Sequence, residues 1–280
     1  MLRTSNVRVL DDTDLAAAHA VISRDPIANV FVASRVAACG LDPQRLGGEM
    51  WGWFAAGRLR SLCYVGANLV PVEATPEAAW AFAERARRFG RRCSSIVGPA
   101  DAVAELWSVL MPVWGPAREV RTPQPLLATS RMPDVAGDPA VRRVRPDELD
   151  TILPSCIAMF TEEVGVSPVI GDGGALYRAR VAELIGLGRA FARIEDGEVL
   201  FKAEVGSATE DACQIQGVWV DPRLRGQGLG TGGTAAVVEV ALREIAPVVS
   251  LYVNDFNEPA RASYAKIGFT QVGDFASILF

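Results

Sequence analysis

At 280 residues the chain is long for one compact domain and comfortable for two. Half of its residues are hydrophobic and 22% are charged, and the net charge of −5 argues against a general nucleic-acid binder, which presents a basic face. Apolar runs such as Val248 to Val253 are too short to span a bilayer, and Met1 to Asn6 lacks the apolar stretch of a secretion leader. The five cysteines are odd in number, scattered and never in CxxC spacing, which predicts neither a zinc site nor a disulfide framework and points to the cytoplasm. With His19 as the single histidine, a Ser-His-Asp triad or a His-rich metal site has almost nothing to build on.

In chain order, Val7 to Leu10 reads as a short strand, followed by an acidic helix start at Asp11–Asp14 and a helix to Ile22. Met50-Trp51-Gly52-Trp53-Phe54 is expected to pack a core or a domain interface, with a substrate-binding aromatic wall as the alternative, and Trp53 to Leu59 reads as a hairpin turning at Gly57. After the next strand the chain runs Asn68 to Glu77 with Pro71, Pro76 and Glu73 and no glycine cluster, a poor setting for a phosphate. Arg85 to Arg92 carries five arginines and is expected to be a solvated helix end. A Pro-rich, pattern-poor stretch places a linker at 131–140 between domains at 1–130 and 141–280.

The second half opens as the first did: a strand at 141–145, an acidic turn and a helix at 147–159. A helix at 172–187 follows, then a hairpin at 190–195 and 198–206 turning at Gly197. Gly57 and Gly197 are 140 residues apart, as are Gly66 and Gly206, which suggests a duplicated fold. A strand at 212–220 stops at Asp221-Pro222. The loop Arg225-Gly226-Gln227-Gly228-Leu229-Gly230-Thr231 then opens a helix at 229–244, before a strand at 248–253, a helix at 257–267 and strands around 269–279. Glycines let several amides converge on one anion, and the helix start adds its own unsatisfied N–H groups, so the loop reads as a diphosphate cradle made of main chain. It lacks the Lys-Ser/Thr ending of a nucleotide-hydrolysing loop.

The form Arg225-x-x-Gly228-x-Gly230, followed by Asn257, Ala260, Tyr264 and Gly268-Phe269, resembles the two signatures of the GNAT acetyltransferase superfamily. The resemblance covers roughly 140–280 and, with the degenerate first half, looks like the actinobacterial two-domain type whose N-terminal domain has no known function. It implies an α/β (α+β) fold of tandem GNAT-like domains, each a mixed, mostly antiparallel twisted sheet flanked by helices. The function it implies is acyl-CoA-dependent N-acyltransfer, with acetyl-CoA as cosubstrate, no metal, and a small-molecule or peptide amine as acceptor. It leaves room for a homodimer, and implies neither nucleic acid nor membrane as a partner.

By that resemblance, Val218 and Val220 pair with the pantetheine arm, amides from Gln227 through Gly228, Leu229 and Gly230 to Thr231 hold the pyrophosphate beside Arg225, and Asn257 contacts the arm. Tyr264 stands where the family places the acid for the departing thiolate. A backbone amide at Val218 or Trp219 is the expected oxyanion donor. For the base, Glu162 and Glu163, expected in a loop between the first two helices, and Glu204 on the third strand all remain open. Gln214 and Gln216 can orient a substrate but not accept its proton. The alternative is a non-catalytic acyl-CoA-sensing or partner-binding protein that keeps the cradle without acceptor chemistry.

Overall fold

A computed structural model describes residues 6–170 and 173–280. The N-terminal residues read as leaderless lie mostly outside these, as does the predicted start of a helix at Asp172. The chain divides into two compact units. The first is Met1–Leu127 with Tyr252–Asn257 and Gln271–Phe280, and the second is Ala128–Leu251 with Glu258–Thr270.

The first unit begins with β1 (Val7–Val9), α1 (Leu15–Ile22), α2 (Val30–Cys39) and α3 (Pro43–Leu46). There follow β2 (Glu49–Ala55), β3 (Arg58–Val65), β4 (Asn68–Val72), α4 (Pro76–Phe89), β5 (Ser95–Pro99), α5 (Ala100–Trp114) and β6 (Glu119–Thr129). Trp51 and Met50 are buried in it, on opposite sides of β2 as the two-residue period requires. The final strand of the chain, Thr270–Leu279, supplies its residues Phe275–Leu279 to this unit, antiparallel to Pro99–Ser95 of β5. A linear cut at 131–140 does not contain that exchange. Its physical reason is the ladder: β5 pairs with β4 on one edge, and the returning C-terminal strand pairs with the other.

No glycine cradle follows β4. Glu73 takes φ +50, its carboxylate accepts from Asn29 Nδ2 (3.1 Å), and its carbonyl accepts from Ser61 Oγ (2.7 Å). Thr75 Oγ1 accepts from the Ala78 amide as cap of α4, and Pro76 at the first helical position has no N–H. The groups that could hold an anion there are used internally or missing.

The second unit runs β7 (Arg142–Arg143), α6 (Leu149–Val164), α7 (Ala175–Gly186), β8 (Ala190–Glu195), β9 (Glu198–Ala208), β10 (Cys213–Val220), α8 (Leu229–Glu244), β11 (Val249–Tyr252) and α9 (Glu258–Ile267), with β12 (Thr270–Leu279) leaving it. Its strand order is β11-β10-β9-β8-β7, antiparallel except for the β10–β11 pair. Both units therefore combine a mixed, mostly antiparallel sheet with helices. The two hairpins also share a turn: Ala56 and Gly57 have φ 49 and 73, and Asp196 and Gly197 have φ 48 and 78. Positive φ at both central positions is the type I′ turn, whose twist matches that of the strands it joins.

Entry into α6 is fixed by Glu148, which accepts two bonds from the Arg142 guanidinium (2.7 and 2.8 Å) and one from the Arg145 amide (2.8 Å). The Arg142 hydrogen bonds hold its carboxyl at about 2, against burial, with the Arg145 amide and the nearby arginine charges assisting. A depressed acid stabilises the fold above its ordinary pKa and loses that contribution as pH falls toward the folded value. Wild-type protein is therefore expected to lose melting temperature between pH 4.5 and 2 more steeply than Glu148→Gln, as followed by circular dichroism.

Candidate functional site

β10 is the strand on which the site is built. It pairs with β9 through Gln216↔Glu204 and next through Trp219↔Lys202, so Gly217 and Val218 together oppose a single residue, Ala203. This is a β-bulge, and Gly217 accommodates it at φ +59. On its other edge β10 pairs in parallel with β11 at Cys213↔Val249 and Gln214↔Ser250. Val218 and Val220 lie beyond that register and are half-buried.

After β10 the chain turns sharply. Asp221 caps a short turn at Pro222–Leu224 by accepting from the Arg223 amide (2.9 Å), and hydrogen bonds from Arg223 hold its carboxyl at about 2. Arg225, Gly226, Gln227 and Gly228 are exposed, with Gly226 at φ 79 and Gly228 at φ 87. Gly228 is the cap residue of α8, and the bond from Gly232 N to Gly228 O (3.0 Å) sits in its first turn. The amides of Leu229, Gly230 and Thr231 therefore have no acceptor within the helix. Converging amides at the positive end of a 16-residue helix form a site for an anion. A Cβ on Gly230 would meet Val220 Cγ2 at 3.4 Å, an ordinary contact, so α8 lies against the end of β10 here.

Two side chains at this loop have partners within the protein. Thr231 Oγ1 donates to Ser263 Oγ (3.0 Å), and Ser263 donates to Pro259 O (3.0 Å), so this hydroxyl proton ties α8 to α9. Arg225 donates from Nε to Val220 O (3.1 Å) and forms an ion pair with Glu162 Oε2 (2.7 Å). Asn257 groups with the first unit, and its amide donates to Asn254 O (2.9 Å).

Glu162 and Glu163 are not in a loop. α6 continues to Val164 and ends only where Gly165 adopts φ 76, so both carboxylates occupy its last turn. Glu162 Oε1 also accepts from Trp219 Nε1 (3.3 Å), which joins the end of α6 to the end of β10. Tyr264 lies in α9, 8% exposed, edge-on to Phe269 with ring centroids 5.9 Å apart. Burial raises its phenol above the ordinary range, and the Glu163 charge adds to that. Glu163 and Tyr264 are thus electrostatic neighbours.

Around the bulge lies a polar cluster that sequence reasoning largely missed. Lys202 and Glu204 share one face of β9, with Nζ 3.5 Å from Glu204 Oε2, and Gln216 Nε2 donates to Glu204 Oε1 (3.0 Å). Tyr177 donates to Cys156 O (2.9 Å), and burial, then Cys156, Glu204 and Glu163, raise its phenol. The Cys156 thiol is also raised, chiefly by burial. The available signal was a lysine two residues before Glu204 in the otherwise apolar run Val199 to Val205, where alternation puts both on one side.

Among the described residues no cluster of three or more His, Cys, Asp or Glu could hold a metal, and no helix is long and apolar enough to cross a membrane. Residues 171–269 match the acetyltransferase (GNAT) family, and residues 48–152 match a domain of unknown function, DUF4081. Comparison with curated proteins gives no match. Among solved structures, a GNAT-family acetyltransferase from Colwellia psychrerythraea is similar at 12% identity and TM-score 0.58, over 98% of this chain and 99% of that one. A Drosophila protein is similar at 13% identity and TM-score 0.63, over 99% of both chains. A tandem GNAT protein from the clavulanic acid biosynthesis pathway is similar at 15% identity and TM-score 0.53, over 98% of both. At these identities the likeness is one of fold.

Proposed function

We propose that this chain, which carries a GNAT acetyltransferase-family domain over residues 171–269, transfers an acetyl group from coenzyme A to an amine by direct attack on the thioester. The observation that carries this is the amide-rich start of α8, reached through the exposed loop Arg225–Gly228, directly after the bulged, partly unpaired strand β10. The first feature suits a pyrophosphate, and the second offers free main-chain groups to an amide-bearing arm and to the thioester oxygen.

In this reading amides from Gln227 to Thr231 hold the pyrophosphate, and Val218 and Val220 hold the arm. The Val218 amide donates to the thioester oxygen. The acceptor nitrogen attacks the carbonyl carbon, the tetrahedral adduct collapses, and the C–S bond breaks. Tyr264 donates a hydrogen bond to the departing sulfur, and Glu163, its electrostatic neighbour, takes the proton released by the amine through water. Glu162 acts as a tether, because its carboxylate is engaged by Arg225 and Trp219. The first unit, whose equivalent loop is filled by Glu73 and its partners, leaves one donor site per chain. The acceptor class is a small-molecule or peptide amine, and the five free cysteines fit a reducing compartment such as the cytoplasm.

Titration calorimetry with acetyl-CoA is expected to give one site per chain, followed by thiol release when amines are added. Absence of heat at high micromolar acetyl-CoA would sink the proposal. Tight binding without transfer to any amine or peptide of a broad panel would favour a sensor.

A further inference from the structure

A lysine is almost never fully buried without a partner, and Lys202 is 1% exposed in the middle of β9. Its ammonium is 3.5 Å from Glu204 Oε2, a long contact for so thoroughly desolvated a charge. Replacing a buried ion pair by neutral side chains of similar size is commonly neutral or stabilising, so stability is a weak reason for this one to exist.

Its location supplies a better reason. A Cβ placed on Gly217 would stand 3.1 Å from Lys202 Nζ, 3.2 Å from Glu204 Oε1 and 3.0 Å from Met159 Cε. The ammonium therefore abuts the bulge, where Gly217 and Val218 leave the regular ladder. Burial is the largest influence and opposes its charge, but Glu204 and Cys156 together more than offset it, so the ammonium's pKa is raised. Gln216, from the bulged strand itself, holds the other oxygen of that carboxylate (3.0 Å). Cation, carboxylate and bulge thus form one fixed assembly across β9 and β10.

We propose that Lys202 is a positioning residue of the acyl site: a buried cation that fixes the bulge and polarises the Gly217–Val218 peptide. The Val218 N–H becomes a stronger donor to the thioester oxygen, and no bond to Lys202 forms or breaks. The inference rests on the acyl-transfer reading above. It adds a residue to it that neither glycine pattern nor helix motif contains.

A thioester carbonyl stretches at lower frequency when its oxygen meets a stronger donor field, so the infrared band of bound [1-13C]acetyl-CoA reads this effect without any acceptor. The double variant Lys202→Met/Glu204→Gln removes both charges and leaves neither unpaired. It is expected to melt at or above the wild-type temperature and to bind acetyl-CoA within about threefold of wild type. Its carbonyl band is expected to return at least halfway to the frequency of free acetyl-CoA, and acetyl transfer to fall about tenfold or more, since a single oxyanion donor is worth more than that. Lys202→Arg, which keeps the charge, is expected to recover part of the band shift. An unchanged band in the double variant would overturn the proposal, and so would a lowered melting temperature without a spectral change. Failure of wild-type protein to bind acetyl-CoA would overturn both this inference and the acyl-transfer reading, and calorimetry on wild-type protein separates that case from the others.

Discussion

Replacing Tyr264 by Phe is expected to lower acetyl transfer about 10- to 100-fold while leaving acetyl-CoA affinity within about twofold, because a hydrogen bond to a charged partner is worth about 1.5–3 kcal/mol and each 1.36 kcal/mol is a factor of ten. The substitution keeps the ring, so the edge-on contact with Phe269 survives and the fold has little reason to change. The magnitude follows from the environment of the phenol. Burial and the Glu163 charge raise its pKa, so Tyr264 stays protonated throughout the neutral and mildly alkaline range. A thiol ordinarily titrates near about 8.5, so complete proton transfer from such a phenol to the departing thiolate is uphill. What the buried hydroxyl can supply is a hydrogen bond to developing negative charge on sulfur. The rate should accordingly show no alkaline loss attributable to Tyr264 below about pH 10, the ordinary phenol value. Turnover and isothermal titration on the two proteins decide it: equal rates would remove Tyr264 from the mechanism, and a large loss of acetyl-CoA affinity would make its role structural.

Most of the fold was legible because its signals are local. The hairpins at Gly57 and Gly197 need positive φ at two successive residues, and the α8 start needs glycines at Gly226 and Gly228, so sequence and backbone agree there. The end of α6 was misjudged because no breaker stands near 159. Pro154 lies inside the helix, and termination waits for Gly165, which carries Glu162 and Glu163 onto the helix and swings Glu162 to Arg225. The departure of β12 to pair with β5 depends on a register between segments 180 residues apart, and nothing in either segment announces it. Lys202 was hidden for another reason. A lone lysine in a strand ordinarily faces water, and only the packing of α6 and β10 around it reveals that it does not.

The cradle gives the other large effect. Gly228→Val is expected to weaken acetyl-CoA binding more than about 100-fold while costing the fold only about 1–2 kcal/mol, the penalty of an L side chain at left-handed φ. At φ 87 Gly228 caps α8, and a Cβ built there meets no atom within 4 Å. The protein itself therefore has space for the new side chain. That space is where an anion must stand to reach the amides of Leu229, Gly230 and Thr231. Two losses combine. The branched side chain obstructs the approach, and relief of its strain pulls the cap away from the geometry that aims the amides outward. An ordinary surface glycine in a tight turn would suffer only the second, visible as a lower melting temperature at unchanged affinity. Measuring both quantities on one variant therefore tests whether the loop is a ligand site or merely a turn: a stability loss alone, with acetyl-CoA still bound at wild-type strength, would leave α8 without its anion.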